Sequence, residues 1–338
     1  MENRQLMRDT AVIETMPETG GPDTAPDHFA LIGRVRQSVE SVIRGKQDVV
    51  RLAAVTLIAR GHLLIEDVPG IGKTTLANAL ARSLELSSHR IQFTSDLLPA
   101  DIIGLSIFDQ AAGEFQWRPG PIFSNIVLAD EINRATPKSQ SALLEAMAEE
   151  QVTVDGTTRR LPEPFMVIAT QNPVEHHGTY PLPESQLDRF MLRIQMGYPG
   201  KDDERAMLHD REVRDPIENI EPQASYADVI RLQDIARRVR VDEALIEYLL
   251  QIVEATRRSE SLELGVSPRG SLALFRAAQA NALVNGRDYC IADDIKDLVL
   301  PCFAHRIVIS SRASGLRNRI REAEAILNDI LTKIAVPI

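Results

Sequence analysis

A single stretch constrains this chain more than any other: His62-Leu63-Leu64-Ile65-Glu66-Asp67-Val68-Pro69-Gly70-Ile71-Gly72-Lys73-Thr74-Thr75. An apolar run ends in a Pro/Gly loop, and Leu76, Leu80 and Leu84 follow at helical spacing. The order is strand, tight loop, helix. Glycines in such a loop let backbone N–H groups turn toward an anion, and the helix N-terminus adds the positive end of its dipole. With Gly-Lys-Thr at the turn, that anion is the phosphate chain of a nucleotide: Lys73 reaches the β- and γ-phosphates and Thr74 offers its hydroxyl to Mg2+. The pattern Gly-x-x-x-x-Gly-Lys-[Ser/Thr] is broken at its first position, which is Asp67. On this stretch alone an ordinary strand-to-helix turn stays open.

Phosphoryl chemistry needs more than a cradle. Ile126-Val127-Leu128-Ala129 is a continuous apolar run, as expected of a strand buried on both faces, and it ends in Asp130-Glu131. Asp130 is placed to hold the hydration shell of Mg2+, and Glu131 to polarise the attacking water as general base. Acidic residues often follow strands, so the pair gains meaning from its distance behind the phosphate loop. Phe165–Thr170 reads as another buried strand, and Asn172 just beyond it could orient the same water. Taken alone, Asn172 before Pro173 reads as an Asx turn.

The chain has 338 residues, which suggests two domains. A net charge of -10 argues against a general nucleic-acid or anionic-membrane binder. Cys290 and Cys302 make no disulfide framework and fit a reducing compartment. No secretory signal and no apolar run long enough to span a membrane is visible, so the expected location is the cytoplasm.

Residues 1–27 are rich in Glu, Thr, Pro and Gly and read as a mobile acidic tail. Helices are expected from Phe29 to about Ile43, ended by Gly45, and over Val49–Ala59. Two hairpins follow: Ser106–Phe108 with Glu114–Trp117 around Gly113, and Gln151–Leu161 around Asp155-Gly156. The first reads as a surface hairpin carrying a core Trp, or as an insert facing a pore. Thr136 is expected to cap a helix that begins at Pro137. Strands alternating with helices imply a three-layer α/β domain with a parallel sheet over residues 28–198. After Gly197-Tyr198-Pro199-Gly200 the pattern turns helical throughout, giving a small all-α domain over 199–338. Within it Pro301 is expected to stop the helix that starts near Asp293.

The chain resembles the MoxR family of AAA+ ATPases. The residues that carry the likeness are Glu66–Thr74, Phe93–Gly104, Gly120-Pro121-Ile122-Phe123, Ala129–Ala135, Leu144–Met147, Ala169–Pro173, Leu182–Phe190 and Ser267-Pro268-Arg269. The likeness runs from about Phe29 to the C-terminus. It also accounts for Asp67, because the family is similar in placing Glu-Asp before Val-Pro-Gly. The resemblance implies an AAA+ P-loop NTPase core with a helical lid, ATP/ADP and Mg2+ as ligands, and ATP hydrolysis. It assigns Pro69, Gly70, Ile71, Gly72, Lys73, Thr74 and Thr75 to the phosphate cradle, Thr74 and Asp130 to Mg2+, and Asp130 with Glu131 to the carboxylate pair. Asn172 becomes the water-orienting sensor, Arg189 the arginine finger acting on a neighbour's nucleotide, and Arg269 the second sensor, on the lid. By analogy with related ATPases, Ile43 and Gly45 line the adenine pocket. Without the family, Arg189 could equally pair with Asp188 or Glu184, and Arg269 could be a solvated helix-start residue.

A finger acting in trans requires a ring, and the family implies a hexamer of identical subunits. The family also implies chaperone-like maturation of client proteins, often with a partner bearing a von Willebrand factor A domain, and metal-cofactor insertion is one form of it. Under the resemblance both hairpins become pore-facing inserts. A nucleic-acid motor is the main alternative. It calls for basic hairpins, whereas Arg159 and Arg160 sit with Asp155, and Arg118 with Asp109 and Glu114. A magnesium-chelatase ATPase subunit shares the machinery but is less close over Ala129–Met147.

Overall fold

The structure, a computed structural model, describes residues 27–173, 178–210, 216–310 and 316–337. The expected acidic tail lies outside them, apart from Asp27, whose carboxylate accepts from Phe29 N at 3.0 Å and so caps the first helix. In chain order the first half holds α1 (His28–Val42), α2 (Gln47–Ile58), β1 (Leu63–Glu66), α3 (Lys73–Ser83), β2 (Ser88–Gln92), α4 (Pro99–Ile103), β3 (Gly104–Asp109) and β4 (Glu114–Pro119). There follow β5 (Ile126–Asp130), α5 (Pro137–Glu149), β6 (Gln151–Val154), β7 (Thr157–Arg160), β8 (Met166–Gln171), α6 (Glu184–Leu187) and β9 (Leu192–Ile194). The C-terminal region contains α7 (Lys201–Asp210), α8 (Tyr226–Ala236), α9 (Glu243–Arg258), β10 (Leu262–Leu264), α10 (Pro268–Val284), α11 (Ala292–Phe303), β11 (Val308–Ile309) and α12 (Leu316–Lys333).

Among the described residues, five parallel strands form the central sheet, in the order β2-β5-β8-β1-β9. The strand that feeds the phosphate loop is central, paired with β8 on one side (Leu64↔Ala169) and β9 on the other (Leu63↔Leu192). Successive strand residues point to opposite faces, so both faces must be covered. Leu63 and Ile65 pack with Leu76 and Leu80 of α3 and with α1 and α2, whereas Leu64, Val127 and Ala129 pack with Leu143, Leu144 and Met147 of α5. Three layers result. With every strand running the same way, the carboxyl ends of β1, β5 and β8 share one edge, where ligands of open α/β sheets bind.

Both hairpins form. Asp155 and Gly156 have φ of 52° and 73°, the pair of positive values that a two-residue type I′ turn demands. Trp117 differs from its expected place in the core. It is half-buried, with the Arg159 guanidinium 4.2 Å above its ring and Phe123 edge-on at 5.9 Å. The cation–π contact ties the two hairpins together.

Local expectations are amended at three further points. Thr136 occupies the cap position of α5, yet its side chain caps no N–H. Helix α11 passes through Pro301 to Phe303. Proline there removes a single helical donor near the end, and burial of Leu298, Val299, Cys302 and Phe303 outweighs that loss. The helical C-terminal region also carries a short antiparallel ribbon, β10 with β11. Its residues are too few to register as strands by periodicity.

Deep in the core, His62 accepts from Val167 N through Nδ1 (3.0 Å) and donates from Nε2 to the Met147 carbonyl (3.1 Å). Burial, the largest cause, pushes its pKa from 6.5 down to about 4. The unfolded chain therefore takes up this proton first as pH falls. Stability is fully present above pH 6.5 and declines toward pH 4, by an amount on the order of 3 kcal/mol for a shift of this size. Urea unfolding at pH 7, 6, 5 and 4 should trace that decline. His62→Gln should flatten the slope over this window while lowering stability at pH 7.

Candidate active site

At the head of the phosphate loop, Gly70 and Gly72 adopt φ of 85° and 96°, where a side chain would strain the backbone. These two turns bring the chain from β1 into α3, which starts at Lys73. The Lys73 side chain is buried, and its Nζ donates to the Asp67 carbonyl at 2.8 Å. Burial lowers its pKa, and the negative charges of Asp130, Asp67 and Glu131 oppose that shift. The ammonium thus sits among acidic groups with one donor on a backbone carbonyl, and its three donors let phosphate oxygens be added to that bond.

The carboxylates are held by a network the sequence reading missed. Thr170 of β8 donates from Oγ1 to Asp130 Oδ1 at 2.6 Å and accepts from Glu131 N at 2.8 Å. Glu131 sits in the left-handed region, φ 55° and ψ 49°. For a side chain of this kind such a backbone persists only where its surroundings impose it. From the neighbouring strand, Arg90 donates to Asp130 Oδ2 through Nε (3.1 Å) and Nη2 (2.6 Å). Gln92 donates to Glu131 Oε2 at 2.8 Å and accepts from Arg90 at 2.6 Å. Arg134 adds a 3.0 Å bond to Glu131. A signal for β2 was present: polar Arg90 and Gln92 flank buried Ile91 at strand spacing, and Gln92 is in register with Asp130.

Around these groups lies a cavity of about 660 Å3, lined by Pro69, Gly70, Ile71, Gly72, Lys73, Thr74, Thr75, Asp130, Glu131 and Asn172. Arg90 and Gln92 line it as well. Its apolar end is formed by Val42, Ile43, Met196, Tyr198, Pro199 and Met207, a suitable slot for a flat aromatic base. Gly45 does not line it. Its φ is 68°, and a Cβ there would collide with Asp203 of α7, so this glycine makes a turn and admits a helix. The Thr74 hydroxyl and the Asp130 carboxylate are hard oxygen donors on one cavity wall. That set suits Mg2+, which completes its shell with water and phosphate oxygens and needs few protein ligands.

Arg189 and Arg269 lie outside this cavity. Arg189 directly precedes Phe190 and β9, level with the amino end of β1, because Met191 N bonds to the His62 carbonyl. Its guanidinium donates to the Leu144 carbonyl. The alternative pairing with Asp188 is not formed: that carboxylate accepts from Arg306 Nε at 2.7 Å and from Ser267 Oγ at 3.2 Å. Arg269 is exposed in the first turn of α10, two residues after Ser267. Both arginines therefore lie toward the edge of the sheet opposite the phosphate loop, Arg269 exposed and Arg189 half-buried.

Comparison with known proteins bears on the family and the fold. Residues 62–192 match the family model described as the ATPase family associated with various cellular activities, and residues 254–330 match the AAA lid domain. The uncharacterized protein YeaC of Bacillus subtilis is 50% identical over 92% of this chain and 97% of its own length. Chaperone MoxR1 of Mycobacterium tuberculosis is 41% identical over 94% of this chain and 85% of its own. A crystal structure of a protein from Cytophaga hutchinsonii, classed as an ATPase, superposes with a TM-score of 0.83 at 37% identity, covering 92% of this chain and 96% of that one.

Thr170→Val keeps the shape of the buried side chain and deletes its bonds to the Asp130 carboxylate and to the Glu131 backbone N–H. Steady-state ATP turnover should fall by about tenfold to a hundredfold, as for other groups that orient catalytic ligands, with the thermal midpoint little changed.

Proposed function

The chain belongs to the MoxR family of AAA+ ATPases, and from that premise we propose that it hydrolyses ATP with Mg2+ in a ring of identical subunits, driving the remodelling of partner proteins. The observation that carries the reading is the split between one cavity that gathers Lys73, Thr74, Asp130, Glu131 and Asn172 and two arginines that lie outside it, toward the opposite edge. A single subunit holds the means to bind a nucleotide. The cations that would neutralise the transferring phosphoryl group lie away from that cavity, Arg269 exposed and Arg189 half-buried against the Leu144 carbonyl. Arg189 would leave that carbonyl when the next subunit docks.

In this reading the adenine lies against Ile43, Met196 and Met207, and the triphosphate follows the backbone N–H groups of Gly70 to Thr75. Lys73 keeps one donor on the Asp67 carbonyl and turns the others to β- and γ-phosphate oxygens. Thr74 and Asp130 would hold Mg2+, which neutralises charge on the β- and γ-phosphates. Glu131, oriented by Gln92 and Thr170, accepts a proton from water as its oxygen attacks the γ-phosphorus, and ADP leaves with the bridging oxygen. Asn172 orients that water. Arg189 and Arg269 of one subunit serve the cavity of its neighbour, where a permanently charged planar fork suits the γ-phosphoryl oxygens. Arg269 is thus assigned a role in trans together with Arg189.

Residues 28–198 act as the nucleotide-binding core and 199–338 as the lid, whose movement through the cycle would displace a client. The first hairpin exposes Ile107 on one face and the Phe108–Phe115 pair on the other, apolar groups that suit a protein client better than a phosphate backbone. Arg159, one of the three basic hairpin residues open to a nucleic-acid motor, is occupied over Trp117. A von Willebrand factor A domain partner, metal-cofactor insertion and a cytoplasmic site of action belong to the same proposal by family resemblance. No helix among the described residues is long and apolar enough to cross a membrane.

Lys73→Ala should reduce ATP affinity below detection by calorimetry, since the buried cation opposite the phosphates is lost. Glu131→Gln should retain binding and cut turnover by about a thousandfold or more, within the range expected when a catalytic base is removed together with the water it orients. Arg189→Ala and Glu131→Gln chains, each inactive alone, should recover part of the activity when mixed, because some interfaces then join an intact finger to an intact base. Absence of recovery in assembled mixtures would count against action in trans.

A further inference from the structure

The residue that breaks the phosphate-loop pattern, Asp67, makes a set of bonds that a glycine could make only in part. Its backbone N donates to the Gln171 carbonyl at 3.0 Å, and its carbonyl accepts from Lys73 Nζ at 2.8 Å. Glycine would keep both. The carboxylate does the rest: Oδ1 accepts from Val68 N at 2.9 Å, and Oδ2 accepts from Met196 N at 2.9 Å and Gly197 N at 2.6 Å. Met196 and Gly197 begin the segment that leaves β9 and enters α7 at Lys201. That segment lines the cavity through Met196, Tyr198 and Pro199. It is held from its other side by Lys46 Nζ, which donates to the Tyr198 carbonyl at 2.8 Å.

The neighbouring residue points the same way. Glu66 accepts from Arg193 Nη1 at 3.2 Å, and Arg193 Nη2 donates to Glu324 of α12 at 2.9 Å. Glu66 and Arg193 are both buried, and breaking such a pair leaves a charge without its partner. The two residues at the base of the phosphate loop are therefore tied to two parts of the C-terminal region, the segment entering α7 and the last helix. Carboxylate acceptors shared between two backbone N–H groups also fix direction, which a single bond does not.

We propose that Asp67 is a positioning residue that couples the state of Lys73 to the segment 196–200, and through it to α7. Without a phosphate, Lys73 holds the Asp67 carbonyl while the Asp67 carboxylate holds Met196 and Gly197. Phosphate oxygens that add to the other donors of the ammonium pull on it, and through the Asp67 carbonyl it holds they shift the Asp67 peptide and the segment it carries together. Release of the phosphate restores the first arrangement. The inference rests on the ATPase reading above and assigns the departure at Asp67 a task in the cycle, separate from cradling phosphate.

The test compares the full-length wild-type chain with Asp67→Gly and Asp67→Asn, using calorimetric ATP affinity, steady-state turnover and hydrogen exchange with and without ATP. Glycine restores the general phosphate-loop pattern. Asparagine keeps the size but places an N–H donor where the carboxylate had an acceptor. Both variants should bind ATP within about threefold of wild type and lose about tenfold or more in kcat, the scale of a misplaced catalytic geometry. ATP should still protect amides 70–76 in the variants and no longer change exchange over 196–210. Unchanged kcat with unchanged ATP-dependent exchange over 196–210 overturns the proposal. So does a loss of affinity that matches the loss of turnover, which would make Asp67 part of the cradle. Failure of both variants to fold would make it a structural brace and overturn the proposal equally. If the wild-type chain neither binds nor hydrolyses ATP, the ATPase reading itself fails, an outcome separate from all of these.

Discussion

Everything at the site depends on β1 running parallel between β8 and β9. That pairing sets the phosphate loop at one end of the sheet and places the Thr170 hydroxyl and Asn172 beside it from β8, with Asp130 one strand further. The same pairing puts the start of β9, and so Arg189, level with His62 at the other end. Parallel strands have one carboxyl edge, and a residue that begins a strand cannot reach it. The separation of Arg189 from Lys73 follows from strand direction alone.

Burial sustains this arrangement. Leu63, Leu64 and Ile65 are fully buried, and the alternation of faces commits Leu63 and Ile65 to one layer and Leu64 to the other. A one-residue slip of β1 would exchange the layers and move Asp67 away from Met196 and Gly197. The polar contacts then act within a frame they did not build. Thr170, Arg90 and Gln92 orient the carboxylates, and Asp67 fixes the segment leaving β9.

Much of this was legible in the chain. Apolar runs bounded by turn residues marked β1, β5 and β8, and Asp155-Gly156 marked a hairpin because few residue pairs accept two positive φ values in succession. What stayed hidden was long-range. Trp117 looked like a core residue because its partner, Arg159, lies on the other hairpin. Gly45 looked like a pocket residue, although its space is filled by Asp203 of α7. Pro301 looked like a stop, since local rules do not weigh the burial of Cys302 and Phe303 beyond it. Arg90 carried no motif at all. Its meaning depends on β2 lying beside β5, a fact of topology that no local pattern contains.

Asp67 shows the same divide from the other side. Its place in the sequence looked like a fault in a phosphate loop, and two of its three carboxylate bonds lie with residues about 130 positions further on. The site is thus divided twice, within the chain between loop and linker, and, in the proposed ring, between one subunit and the next. The most direct test of that second division is ATP turnover per chain measured against chain concentration, with sedimentation run in parallel. The account predicts turnover per chain that rises steeply as chains assemble and approaches zero where they are monomeric. A turnover per chain that stays constant down to monomeric concentrations would contradict it.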